Sequence, residues 1–361
     1  LASFTSESQR AFAEVQMLYG VHVFARAKVI PDLALSRGAE AYERARAIGD
    51  RQLEFLAAGG TAMSNLELGD LDEATSWLDR AAAVVAESPT PARGRQQELW
   101  RGLADAARGD ADGMRSHLER AVQMAADQGL PAARCEALAT LALAAASLGK
   151  ERDEQELLSL AEGSAVGAKE LLPLLPGHAP WGARADAALA MVALSRGEPD
   201  RAVEAARSAV SALQEAQHED LDLDILMPLA AAMTAAGTDE ERTGTLSYLR
   251  LQAAVIANRI VDEEIRRRWF RGPAGSALAA LALDPEAPIV RTAKDTTVEG
   301  VGSDDVDLLK LVVQGLSNEE IAERLDVPAT EIARRLSSMY ATIGASSRAD
   351  ATAFAFQSGI L

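Results

Sequence analysis

A chain of 361 residues exceeds the roughly 100–200 of an average domain, so two or more units are expected. Apolar residues at 48% and charged residues at 25% exclude a disordered chain, while 4% aromatics beside abundant Ala favour closely packed helices over sheets, an all-α class. With 36 basic against 54 acidic residues the formal charge is −18, which argues against broad adhesion to nucleic acid or anionic membrane and confines any DNA contact to a local surface.

No stretch of about 18 charge-free apolar residues occurs, and residues 1–20 lack a basic start followed by an apolar run. Neither a spanning helix nor a signal peptide is expected, no membrane partner is implied, and a cytoplasmic location is expected. The chain begins at Leu1 rather than Met, from which a preceding segment is expected. Its single cysteine, Cys135, excludes an internal disulfide and falls among Ala132, Ala133, Ala137 and Leu138, the setting of a buried packing residue. His22, His117, His178 and His218 lie far apart, without metal-ligand spacing, and read as surface or capping residues.

One glycine position recurs after a helical run, at Gly69, Gly109, Gly149, Gly197 and Gly237, with gaps of 40, 40, 48 and 40 residues. Its surroundings recur too. Gly69-Asp70-Leu71-Asp72 leads to Leu78 and Ala81, and Gly109-Asp110-Ala111-Asp112 leads to Leu118 and Ala121. The same offsets reach Leu158 and Ala161, Ala206 and Ala209, and Leu246 and Leu249. Each glycine is expected to end one helix in a left-handed cap, and the acid after it to sit at the N-terminus of the next, where the helix dipole favours negative charge. The unit is then a helical hairpin, and hairpins that cannot bury their apolar faces alone must stack into a solenoid. The pattern resembles tetratricopeptide-like repeats, whose period of about 34 residues is shorter.

Between Leu172 and Pro180 three prolines forbid a continuous helix, so a loop interrupts the array there. Arg266-Arg267-Arg268-Trp269-Phe270-Arg271 reads as a last repeat helix, with the aromatics closing the core and the arginines solvated; a site for an acidic or aromatic ligand, or for a phosphate backbone, is the alternative. Residues 283–303, with Pro285, Pro288, Gly300 and Gly302 among many Asp, Glu and Thr, read as a linker. The expected organisation is a repeat array over 1–282, this linker, and a small domain over 304–361.

Four short helices are expected in the small domain, at Val306–Val313, Asn318–Leu325, Ala329–Ile343 and Ser347–Ser358. Leu308, Leu309 and Val312 form one apolar face, Ile321, Ala322 and Leu325 a second, and Ile332, Leu336, Met339 and Ile343 a third. Ser317 is placed to cap the second helix, with Glu320 three residues on. The short turn Asp326-Val327-Pro328 between the second and third makes a helix-turn-helix.

The run Gly315-Leu316-Ser317-Asn318-Glu319-Glu320-Ile321-Ala322-Glu323-Arg324-Leu325 resembles the first half of a LuxR-type DNA-binding domain. Tyr340, Ile343 to Ala349 and the closing Gly359-Ile360-Leu361 resemble its end, so the likeness covers about 60 residues. The resemblance implies a transcription regulator of double-stranded DNA, its third helix in the major groove and its fourth supporting a homodimer. A LuxR-type domain after a helical array also resembles large regulators that carry an ATPase domain upstream. No Gly-rich phosphate loop ending in Lys-Ser/Thr occurs here, so nucleotide hydrolysis and a bound cofactor are not expected in this chain. No clustered nucleophile, base and orienter points to an enzyme either.

Opposite the apolar face of the third helix lie Thr330, Arg334, Ser337 and Ser338, and with Arg335 these are the candidate DNA-binding residues. Where the family commonly shows Thr-Val-Lys and then His, this sequence has Glu331-Ile332-Ala333 and Arg335, and Pro328 replaces the usual serine cap. From Val301 to Leu361 five bases face nine acids, a balance of −4, unlike most DNA readers. Two functions are therefore carried. In the first, the array senses a protein partner or small-molecule signal and controls a DNA-binding helix-turn-helix; in the second, the chain is a protein-interaction scaffold whose helix-turn-helix no longer binds DNA.

Overall fold

Paired helices joined by tight turns follow from the spacing of the turn residues. In the computed structural model, residues 6–175, 177–215, 222–282, 308–309, 311–312, 318–325, 327–343, 345 and 351 are described. The chain runs through α1 (Ser6–Ala27), α2 (Pro31–Ile48), α3 (Arg51–Glu67), α4 (Leu71–Glu87), α5 (Pro91–Ala107), α6 (Ala111–Asp127), α7 (Pro131–Arg152) and α8 (Gln155–Leu171). Then follow α9 (Ala179–Ser195), α10 (Pro199–Glu215), α11 (Leu223–Ala236), α12 (Asp239–Arg259), α13 (Glu263–Arg271), α14 (Pro273–Ala282), α15 (Asn318–Leu325) and α16 (Ala329–Ile343). Among the described residues there is no β-strand, as the composition implies. The chain divides into two compact units, residues 1–246 with 259–281 and residues 247–258 with 282–361.

In the first unit α3, α4, α5 and α6 are each 17 residues long, so equivalent side chains meet at equal heights. Gly69, Gly109 and Gly197 join their helices at φ of 73°, 74° and 71°, the left-handed backbone that only glycine adopts without strain. Asp70 and Asp110 then cap the next helix, accepting from the amides of Glu73 at 3.3 Å and Gly113 at 3.0 Å. The other two glycines behave differently. α7 runs through Gly149, against which Leu157 and Leu158 pack closely, and the left-handed residue is Asp153 at φ 53°. Lys150, Glu151 and Arg152 are helix formers, so nothing stops the helix at the glycine. Gly237 is extended, and α12 opens instead on a reciprocal box in which Thr238 Oγ1 accepts from the Glu241 amide and Glu241 Oε2 from the Thr238 amide.

The repeated offsets are the core. Leu78, Leu118 and Leu158 and their partners Ala81, Ala121 and Ala161 are all essentially inaccessible, as are Ala206 and Ala209. Each such leucine contributes about 1.5–3 kcal/mol of apolar burial, while alanine lets the helices approach. Phe55 meets Trp100 at 4.9 Å, and a β-carbon on Gly59 would stand 2.0 Å from the Trp100 ring. Cys135 is buried, as expected. α7 is long and apolar enough to cross a membrane by length and composition, yet 61% of its apolar window is buried inside the unit, which is the pattern of a core helix. At Leu172–Leu174 the proline-rich interruption forms a 3-10 turn before α9.

His22 departs from its expected surface or capping role. It is wholly buried, its Nδ1 donates to the Ala34 carbonyl at 2.7 Å, and its ring fills the space left by Gly38 and Gly60. Burial drives its pKa down to about 4, with Arg26 acting the same way and the Ala34 carbonyl opposing. His117 is half-exposed beside Glu98 at 2.6 Å, and His178 precedes α9 and stacks on Trp181. His218 lies outside the described residues, as does the 283–303 linker.

The arginine-tryptophan segment is the helix α13, with Trp269 buried and set edge-on to Phe270 at 4.9 Å. Not all its arginines are simply solvated, since Arg268 donates to Asp70 at 2.5 Å. Arg259 donates to the Lys28 carbonyl at 2.8 Å and the Val261 amide to Asp32 at 3.0 Å, so this segment returns to the beginning of the array.

In the second unit, Leu308, Leu309, Leu311, Val312, Ile321, Ala322, Ile332, Leu336, Met339 and Ala351 form one core. α15 and α16 have the expected limits, although Leu325 is 37% exposed and so adds little to that core. The Ser317 cap and most of the first and fourth helices lie outside the described residues.

Two outcomes follow from this packing. Gly59→Ala should lose about 1–3 kcal/mol in chemical denaturation, because the Trp100 ring must shift to admit a methyl group. Because the folded state keeps His22 neutral to about pH 4 while an unfolded histidine binds a proton near 6.5, stability should fall as pH drops from about 6.5 to 4. His22→Gln should flatten that slope in melting curves; an unchanged slope would show that other groups set it.

Candidate nucleic-acid interface

The turn between α15 and α16 is closed by the Val327 amide, which donates to the Ala322 carbonyl at 3.0 Å. Pro328 opens α16, its carbonyl accepting from the amides of Glu331 at 2.9 Å and Ile332 at 3.2 Å. Proline supplies no side-chain acceptor there, so the acid in the first turn, Glu331, is the local partner for the helix dipole. Burial of Ile332, Leu336 and Met339 then decides what α16 presents outward.

Arg334 stands opposite that buried face and its side chain is 71% exposed. Thr330, Ser337 and Ser338 are exposed beside it. Arg335, about 100° further round the helix, is 38% exposed and lies at the edge of this surface. Ala333 and Ala341 complete a surface of short side chains from which Arg334 is the long projection.

Glu331 engages both arginines. It accepts from Arg334 Nε at 2.9 Å and Nη2 at 2.7 Å, and from Arg335 Nε at 3.1 Å. The two guanidinium groups hold its carboxyl down at about 2, with Arg334 contributing most. Sequence spacing already carried this signal, because residues three and four apart on a helix are neighbours. The chemistry of the exposed surface is therefore a guanidinium held by a carboxylate among hydroxyl and methyl groups. Guanidinium can donate two parallel hydrogen bonds to a guanine edge, while hydroxyls suit bases or phosphates.

Residues 305–355 match the family described as bacterial regulatory proteins, luxR family. The C-terminal unit thus carries a LuxR-family helix-turn-helix domain. The chain is also 30% identical over 181 residues to provisionally named HTH-type transcriptional regulators of Mycobacterium bovis and Mycobacterium tuberculosis, an alignment covering 44% of this chain. It spans about a fifth of the length of these curated relatives. The alignment is longer than the luxR-family match, so the likeness is not confined to it.

In the first unit a polar cluster lies in a cleft of about 250 Å³ between α8, α9 and α10. There the buried Asp186 accepts from Lys169 and, at 2.8 Å, from Ser208 Oγ. Its carboxylate oxygens are thus paired within the protein, which marks a packing network. Among the described residues no group of three or more His, Cys, Asp or Glu is gathered to hold a metal ion.

The Glu331 carboxyl should titrate near 2 by carbon-detected NMR, whereas an unpaired glutamate titrates near 4.3. Whatever stability the pairing contributes is present above about 4.3 and lost as pH falls through 2. A midpoint near 4.3 in the native chain would show that the arginines do not hold this carboxylate in solution.

Proposed function

We propose that this chain is part of a DNA-binding transcription regulator in which the helical array, over residues 1–282, receives a signal and controls the helix-turn-helix of residues 304–361 through the segment 283–303. The observation that carries the reading is the position of Arg334, exposed opposite the apolar face of α16 within the span that matches the luxR family. In this reading α16 enters the major groove, Arg334 donates to a guanine edge, and Thr330, Ser337, Ser338 and Arg335 contact neighbouring bases or phosphates. The domain's acidic balance makes binding by one copy weak and strongly salt-dependent, so a homodimer supplies the remaining affinity. The array's signal is a protein partner or small molecule, and the protein acts in the cytoplasm.

A second reading, a protein-interaction scaffold that has lost DNA binding, is favoured by one feature. Glu331 occupies both arginines of the exposed helix. Selection from genomic fragments, followed by binding at two salt concentrations, separates the two. The wild-type chain should enrich particular sequences, and Arg334→Ala should lose about 1–3 kcal/mol of discrimination at one guanine. No enrichment by a folded, dimer-competent sample would favour the scaffold.

A further inference from the structure

We infer that Glu331 is a positioning residue that presets Arg334 for one guanine. This rests on the DNA-binding reading above. The inference starts from which edge of the guanidinium is engaged. Glu331 takes the side of Arg334, accepting from Nε at 2.9 Å and from Nη2 at 2.7 Å. A guanidinium has five N–H donors in a rigid plane, and this pairing uses one on Nε and one on Nη2. Both hydrogens of Nη1 and the second of Nη2 remain; one of the Nη1 pair faces back toward Cδ, while the other and the remaining Nη2 hydrogen form the end edge of the plane. That edge offers two parallel donors, the pattern that matches O6 and N7 of guanine.

Among the described residues of α16, Glu331 is the side chain long enough to engage Arg334. The neighbours of Arg334 across the helix surface are Thr330, Ala333, Ser337, Ser338 and Ala341, all too short to hold a guanidinium. A free arginine must give up rotamer entropy when it binds, and a planar group fixed in advance gives up less. Glu331 is itself steadied by a second contact, from Arg335 Nε at 3.1 Å, so the carboxylate is held from two directions. Arg335, only 38% exposed, is thereby the anchor and Arg334, 71% exposed, the reader. The residue that weakens attraction to phosphate thus sharpens the reading of a base. Affinity and discrimination should respond to it in opposite directions.

The test uses the full chain, the DNA that wild-type selects, and the same DNA with each G·C pair replaced in turn. Glu331→Ala should bind all DNA somewhat more tightly, through loss of a negative charge, yet lose about tenfold in discrimination at the guanine that Arg334→Ala also ceases to read. Glu331→Gln, of the same shape and retaining one carbonyl acceptor, should keep part of that discrimination, and melting curves confirm that each variant is folded. In the double variant, Glu331→Ala should add nothing at that guanine beyond Arg334→Ala. If Glu331→Ala strengthens binding equally on every sequence and leaves the ratio intact, the carboxylate is only repulsive and the inference falls alone. If wild-type selects no sequence, the DNA-binding reading falls and takes the inference with it.

Discussion

Stacking of leucine and alanine at a forty-residue spacing is the contact on which the rest of the first unit depends. One helical hairpin exposes too much apolar surface to be stable, so Leu78, Leu118 and Leu158 are useful only when the neighbouring hairpin covers them. The turns serve this packing. A left-handed glycine followed by a capping aspartate reverses the chain within three residues at Leu68–Asp70 and again at Arg108–Asp110, which keeps successive helices close enough for alanine to touch alanine. Where the turn chemistry changes, at Asp153 and Thr238, the core positions remain buried and the local solution differs.

The second unit shows a different economy. Its core is apolar throughout, but the face of α16 opposite it carries one well-exposed cation and the acid that holds it. A phosphate backbone attracts positive charge over several ångströms, whereas a base edge rewards a correctly oriented donor pair. Glu331 sets a negative charge against the first effect and engages the guanidinium that could serve the second.

Much of the helix-turn-helix was legible because its helices are local objects. The limits Asn318–Leu325 and Ala329–Ile343 follow from periodic apolar residues and a proline turn, and burial of Ile332, Leu336 and Met339 agrees. The repeat was equally legible, since identical offsets need no knowledge of the fold. The exceptions have a common cause. Gly149 looks like a helix stop in one dimension, but in three it is a site of close approach for Leu157 and Leu158. His22 looks like a surface residue because the glycines that enclose it, Gly38 and Gly60, belong to other helices.

By itself the sequence determined the all-helical class, the hairpin repeat and the luxR-family segment, because periodicity, turn residues and short motifs act over a few residues along one chain. Tertiary structure decided which polar groups are partners. Arg268 meets Asp70 across 198 residues and Val261 meets Asp32 across 229, and no spacing rule reaches that far.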